Sequence, residues 1–235
     1  MKQRQWSARG RQGQAAVETL VALPVLILTV LLVVQVLWLV FANATFRVAV
    51  SYSLRAGTIN HGSINAMERT LVAAMASLQP LLPEGAGREQ GPSRNQLRRA
   101  QLAATARQWL HYQLTGRLQI HGPTEAVLRE HSERRFDLMI DDWVNELPVD
   151  YASARIQDTD AVVWEQQRQL DIEVWWCLPL EVPLAAQVLM QLRRWWTSPA
   201  QRHCRLREEL TGRPLWAMQQ RLAAPLLSGY REGLN

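Results

Sequence analysis

The sequence predicts an α+β protein carried on a long N-terminal transmembrane helix. An uncharged apolar run of 24 residues extends from Thr19 to Ala42. Apolar residues then recur at helical spacing over about 65–147, and they alternate with polar residues over about 170–176. Helices followed by strands are typical of α+β domains, so we expect several helices packed on one face of an antiparallel sheet.

The N-terminal run is long enough to cross a bilayer, since about 20 apolar residues span about 30 Å of hydrocarbon. It is apolar on all sides, whereas a core helix has a polar face. A cleaved secretory signal would have an apolar core of only about 7–15 residues and a small-residue cleavage site. Residues 40–44 are a weak version of that site, so a retained anchor is favoured. The helix is expected from Ala15 to Arg55, kinked at Pro24 and stopped at Gly57.

The charges that flank the run predict its orientation. Four basic residues and no acid precede Glu18, namely Lys2, Arg4, Arg9 and Arg11. Positive flanks remain in the cytoplasm, so residues 1–12 are expected there and the chain after Asn43 on the other side. The predicted organisation is a basic cytoplasmic leader, a transmembrane helix with its extension, and a periplasmic α+β domain, at residues 1–13, 14–57 and 58–235.

The charge balance argues against nucleic acid as a partner. The chain has 26 basic and 21 acidic residues, a formal net charge of +5. Four of the basic residues belong to the leader, so residues 14–235 carry a net charge of only +1. A nucleic-acid-binding surface needs a broad positive field, which this balance does not supply.

Three amphipathic helices are predicted after the span. The first begins near Asn65, which has capping-box spacing to Glu68. The others cover about 95–115 and about 124–147. Their expected inward residues are, in turn, Ala103, Ala106, Leu110 and Leu114, and then Phe136, Ile140, Trp143 and Leu147.

The period changes to two after Tyr151. Four residues are expected to face the core from one strand, namely Leu170, Ile172, Val174 and Trp176. Shorter strands are predicted at 150–157 and 160–165, a helix at 183–196, and two strands at 206–210 and 214–224.

Cys177 and Cys204 are the only cysteines. In an exported domain an even pair most often forms a disulfide, and two buried thiols are the alternative. A zinc site is disfavoured because there is no C-x-x-C and adjacent His203 and Cys204 cannot easily reach one metal. No nucleophile or metal-binding pattern indicates an enzyme, and no cofactor is implied.

The stretch RGQAAVE followed by LVALPVLIL resembles the TadE-like family of the Tad (Flp, tight-adherence) pilus machinery. The basic leader, a glycine, a glutamate five residues later and a span also resemble the processing signal of type IV pilin-like proteins. The family places a proline near the eleventh mature position, and Pro24 is eleventh counted from Gln14. The resemblance covers residues 9–35.

The resemblance implies that prepilin peptidase cuts after Gly13 and leaves Gln14 as the new N-terminus. A glycine suits a narrow protease groove because it has no Cβ. Gly10 does not fit the pattern, since Ala15 stands five residues after it. In the family, Glu18 would pair with the free amine of Gln14 on a neighbouring subunit. The alternative is that Glu18 lies at the membrane surface and only favours a helix N-terminus.

Two departures from major pilins, Gln14 in place of phenylalanine and Thr19 in place of an aromatic, imply a minor pseudopilin. Such a protein would sit in the bacterial inner membrane, and its non-catalytic periplasmic domain would bind other pseudopilins and platform proteins. The alternative is an unprocessed single-pass protein, either TadG-like or with a sensor or binding ectodomain. Ten tryptophans, with doublets at 175–176 and 195–196, are expected mainly in the core. A docking face, a ligand platform or a lipid-interface anchor at 193–196 is also open.

Overall fold

The structure is a computed structural model that describes residues 11–78, 93–156, 160–195 and 198–232. Its helices are α1 Arg11–Ile59, α2 Ile64–Met75, α3 Arg94–Thr115, α4 Glu125–His131, α5 Ala152–Arg155, α6 Ala161–Gln167, α7 Pro183–Leu192 and α8 Pro199–Thr211. Its strands are β1 Arg117–Gly122, β2 Glu133–Asp137, β3 Asp142–Glu146, β4 Gln169–Pro179 and β5 Leu215–Pro225. Short 3₁₀ turns at Ala76–Leu78 and Arg193–Trp195 follow α2 and α7.

The strands form two antiparallel sheets. The larger has the order β1-β4-β5, with β4 in the centre. Val174 lies opposite Leu118 on one side and Gln220 on the other. The smaller sheet is the β2–β3 hairpin. The predicted α+β class is therefore confirmed.

Helix α1 is 49 residues long and runs through Pro24 without interruption. The part from Glu18 to Ile59 is long and apolar enough to cross a membrane, with a peak mean hydropathy of 2.9. Its side chains are mostly exposed up to Phe41, as expected of a surface that faces lipid. After Phe41 one stripe becomes buried at helical spacing, namely Ala42, Phe46, Ala49, Val50 and Leu54.

Gly57 is not the predicted helix stop. An added Cβ at this position would lie 2.5 Å from Met67 Sδ and 2.6 Å from Leu170 Cδ2. The glycine therefore allows close packing inside the helix, and α1 ends two residues later. His61 and Gly62, with φ of 55° and 80°, turn the chain toward α2.

The chain divides into two compact units. One contains α1 up to Phe41 and the segment that begins at Leu180 and holds α7. The other contains the rest of α1, both sheets, α2 to α6 and α8.

The core of the second unit is built on β4. The four predicted inward residues Leu170, Ile172, Val174 and Trp176 are buried, so this prediction is confirmed. Helices pack on the same face: Gly57 of α1 approaches Leu170, and Tyr112 of α3 stacks on Trp176 with ring centroids 5.9 Å apart. Helix α8 lies against the other face, through a disulfide to Cys177, so both faces carry helices.

The predicted helix over 124–147 is wrong. Only α4 is helical there, and it is followed by the β2–β3 hairpin. Phe136 and Trp143 have helical spacing, but they lie opposite each other across the hairpin with ring centroids 5.5 Å apart. A short apolar pattern fits both the helical period and the strand period. Here the turn at 138–141, with Asp141 at φ 55°, interrupts the segment and favours two strands.

Three predicted strands are also helices. Segments 150–157 and 160–165 contain α5 and α6, and Asp160 Oδ1 caps α6 by accepting the Val162 N–H. Segment 206–210 lies in α8. Ser198 caps this helix, Pro199 occupies its first turn and Gly212 ends it at φ 65°. These capping signals are in the sequence, and they outweigh the short alternation.

Two details of α2 and α3 also differ from expectation. The N-cap of α2 is Ser63, whose Oγ accepts the Ala66 N–H, and not Asn65. The buried residues of α3 are Ala104, Gln108, Tyr112 and Thr115, whereas the predicted Leu110 and Leu114 are exposed. Tyr112 sets this face because its hydroxyl donates to Glu68 Oε1 at 2.9 Å.

Candidate functional site

The predicted processing site lies at the start of α1. Gly13 and Gln14 have helical backbone in its first turn, while the basic leader up to Gly10 lies outside the described residues. Glu18 is exposed, and no side chain described from residue 18 onward forms a hydrogen bond or ion pair with its carboxylate. The processing and pairing roles therefore stay predictions.

A second candidate site is the β2–β3 hairpin, which sequence reasoning missed. In each strand alternate side chains point to opposite faces. One face carries Glu133, Arg135, Asp137, Asp142, Val144 and Glu146. The other carries Arg134, Phe136, Trp143 and Asn145, all four exposed.

The charged face is paired with the rest of its unit. Arg135 Nη2 donates to Asp150 Oδ1 at 2.8 Å, and Arg155 Nη2 donates to Glu133 Oε2 at 3.0 Å. The Arg155 hydrogen bond holds the pKa of Glu133 below its ordinary value, and the Arg135 hydrogen bond does the same for the pKa of Asp150. This side of the hairpin is thus fixed by charge-assisted contacts.

The C-terminal tail completes this attachment. Arg231 Nε donates to Glu146 Oε2 at 2.7 Å, and Arg231 Nη1 donates to Asp137. Just before it, Tyr230 forms an antiparallel bridge with Leu147, with N–O distances of 2.8 and 3.1 Å. One arginine therefore holds a carboxylate on each strand of the hairpin.

The aromatic face and the turn leave a large apolar surface exposed. Leu138 and Met139 at the turn are 86% and 92% exposed, and Ile140 is also exposed. Trp143 packs edge-on against Phe136, and Arg134 lies over its ring, 5.3 Å from the centroid. We call Phe136, Leu138, Met139, Ile140 and Trp143 the hairpin patch. Such a contiguous apolar patch is typical of an interaction site.

Cys177 and Cys204 form a disulfide that joins β4 to α8. Both are fully buried, and His111 Nε2 donates to the Cys177 carbonyl at 2.6 Å. His203 Nε2 donates to the Thr115 carbonyl at 3.0 Å, and burial lowers the pKa of both histidines. Among the described residues no group of three His, Cys, Asp or Glu side chains could hold a metal ion.

The tryptophan doublets serve different purposes. Trp176 is in the core, and Trp175 is covered by the His203 ring at 5.6 Å and by Arg117 at 5.1 Å. This pair is therefore not an exposed docking face. Trp195 is exposed, and Trp196 lies outside the described residues.

The signal that could have found the hairpin is the placing of Phe136, Trp143 and Val144, residue types enriched in strands, on either side of an Asp-containing turn. Comparison with known proteins adds no further information about this site. No protein-family model, curated protein or solved structure matches the chain.

Proposed function

We propose that the chain is a membrane-anchored minor pseudopilin of a Tad/Flp-type pilus assembly system. Prepilin peptidase would cut it after Gly13 at the cytoplasmic face of the inner membrane. Its non-catalytic periplasmic domain would bind other pseudopilins and pilus platform proteins.

The observation that carries the proposal is the spacing of Gly13 and Glu18 at the entry to a single apolar span. A basic flank, a glycine without a Cβ, a lone acid five residues on and uninterrupted helix after it are the features that a prepilin substrate needs. A stationary anchor needs only the flank and the span.

The surroundings of Glu18 support a pairing role. The residue is exposed at the edge of the apolar run, and the side chains described from residue 18 onward give it no partner. A carboxylate near hydrocarbon is costly, so acids in such positions usually pair with a cation. The new N-terminal amine of Gln14 on a neighbouring subunit would supply one.

The continuity of α1 also supports the proposal. The same helix is mostly exposed up to Phe41, and its residues Phe46, Val50 and Leu54 are buried in the sheet-containing unit. One helix of 49 residues thus contributes residues to both units. This suits a subunit that is moved from the membrane into a filament.

The hairpin patch is the proposed contact with sibling subunits or platform proteins. Its charged face is held by the rest of its unit, so the aromatic face remains available. Aromatic residues and methionine are enriched in the cores of protein interfaces.

Mass spectrometry of the mature N-terminus tests the processing step. We expect a chain that begins at Gln14 in cells with prepilin peptidase and one that keeps Met1 in cells without it. Gly13→Leu should keep Met1 in both strains because its side chain blocks the groove. Gly10→Leu is the matched control and should be cut normally. An intact Met1 in both wild-type strains would contradict the proposal and favour the unprocessed single-pass alternative.

Co-purification with the other pilus proteins tests the hairpin patch. The double variant Leu138→Asp/Met139→Asp should fold normally, because exposed substitutions usually change stability by no more than about 0.5 kcal/mol. It should nevertheless lose its partners. Leu102→Asp, at an exposed apolar position of α3, is the matched control. Equal recovery of partners with both variants would exclude the patch as the contact.

A further inference from the structure

The unit that contains the span also contains a second apolar element, helix α7. We propose that α7 is a lipid-contacting helix that lies in the bilayer leaflet at the C-terminal end of the span. This inference requires only that α1 crosses a membrane, and it is independent of any pilus role.

The first observation is a hydrogen bond that fixes the depth of α7. The Val182 N–H, at the residue before α7, donates to Gln35 Oε1 at 3.2 Å, and Gln35 is fully buried. Gln35 stands seven residues before Ala42, the end of the apolar run. At about 1.5 Å per residue this places the contact about 10 Å inside the run. If the run spans the hydrocarbon, the start of α7 lies within the hydrocarbon layer.

The inner face of α7 is made of small and apolar residues. Ala185, Ala186 and Leu189 are buried. Small residues allow close helix contacts in membranes, where backbone approach supplies much of the packing energy. On α1, partly shielded residues recur at helical spacing around Gln35, namely Leu28, Leu31, Leu32, Trp38 and Leu39.

The outer face of α7 carries an apolar stripe, which shares that face with exposed Gln187 and Gln191 and is unoccupied among the described residues. Leu184 and Leu192 are 54% and 52% exposed, and partly exposed Val188 lies between them at i+4 spacing. Trp195 continues the stripe in the 3₁₀ turn and is exposed. In water this stripe would expose apolar side chains to solvent, which costs free energy.

The depth of α7 decides what covers this stripe. Lipid surrounds the span at the level of Gln35, so the neighbouring helix meets the same lipid. Ten residues reach only about 15 Å, too short to cross the bilayer. No charged residue occurs within Pro183–Leu192, whereas Glu181 and Arg193 flank it. A helix without charges can lie in hydrocarbon, while the charged flanks and Trp195 suit the neighbouring interface, where tryptophan is enriched and long basic side chains reach water.

Spin-label accessibility tests the inference on the full chain in phosphatidylcholine–phosphatidylglycerol vesicles. Leu184→Cys and Leu192→Cys each carry a nitroxide, and the native cysteines do not react because they form the disulfide. Val30→Cys, exposed on the span, is the lipid control. Leu102→Cys, exposed on polar helix α3, is the water control.

The measured quantity is the ratio of the label's collision rate with oxygen to its collision rate with a water-soluble nickel chelate. We expect this ratio at both α7 positions to match that at Val30→Cys and to exceed that at Leu102→Cys by at least about threefold. Labels at both α7 positions that match Leu102→Cys would overturn the inference, because α7 would then lie in water. Labels shielded from both reagents would also overturn it, since a protein would then cover the stripe. Circular dichroism of each labelled protein confirms that the chain is folded before the comparison is made.

Discussion

Removing the disulfide should destabilise the second unit and release α8 first. The change is the double variant Cys177→Ala/Cys204→Ala, which avoids burying a new polar group. The bond closes a loop with a sequence separation of 27. For that length the chain-entropy relation gives about 3.5 kcal/mol at 25 °C, within the usual range of about 2–4 kcal/mol.

The effect should concentrate on α8 because this helix has few other buried groups. Its only buried side chains among the described residues are Ala200 and Cys204. Gln201 adds two hydrogen bonds to β5, to the Leu215 carbonyl at 3.2 Å and from the Ala217 N–H at 3.0 Å. With the bond gone, the helix would be held mainly by polar contacts, which also include the Leu215 N–H donating to Glu208 Oε1 at 2.9 Å and His203 Nε2 donating to the Thr115 carbonyl.

The assay is urea unfolding of the full chain in detergent micelles, followed by tryptophan fluorescence. Wild-type protein under reducing conditions should lose the same free energy as the double variant, and reductant should not affect the variant. In the variant, amide hydrogen exchange should accelerate more in α8 than in the other helices and strands of the second unit. The reasoning would be refuted if the free energy of unfolding of the variant lay within about 0.5 kcal/mol of that of oxidised wild type. Unchanged amide hydrogen exchange in α8 would refute it as well.

Three further predictions concern packing and protonation in the same unit. Gly62→Ala should lower the unfolding free energy by more than about 1 kcal/mol, because φ is 80° and the new Cβ would lie 2.2 Å from the Tyr230 ring; thermal unfolding checks this. Phe46→Ala should cost about 3–5 kcal/mol in the same measurement because Phe46 is fully buried, whereas exposed Val48→Ala should cost little. Burial lowers the pKa of His111, so the unfolded state binds more protons. Stability should therefore be complete above about pH 6.5 and fall as the pH drops below it. His111→Gln should reduce this loss between pH 7.5 and 5.5, and an unchanged pH slope would exclude the histidine as its source.

The strongest periodic signals in the sequence predicted the fold correctly. The apolar run gave the long helix, and the alternation of Leu170, Ile172, Val174 and Trp176 gave the central strand. The apolar run is far longer than a strand, and the alternation continues over enough residues to exclude helical spacing. The signals failed where segments were short, because four or five apolar residues fit a helix and a strand equally well.

The hairpin shows why the candidate site was harder to predict. Its apolar residues point away from the domain, whereas sequence reasoning assigns such residues to the core. The sequence accordingly predicts Phe136 and Trp143 as inward residues of a helix. The hairpin is oriented by ion pairs between residues far apart in the sequence. Arg231 and Glu146, for example, are 85 positions apart, so the pairing leaves no local sequence pattern. The pairing of Cys177 and Cys204 was predictable because only one pair exists.

The attachment of the hairpin by Tyr230 and Arg231 has a practical consequence for labelling. A fluorescent protein or affinity tag fused closely behind residue 232 could displace Arg231. The carboxylates of Asp137 and Glu146 would then lose their ion-pair partner. Partner loss in such a fusion would then be misread as a defect of the partner.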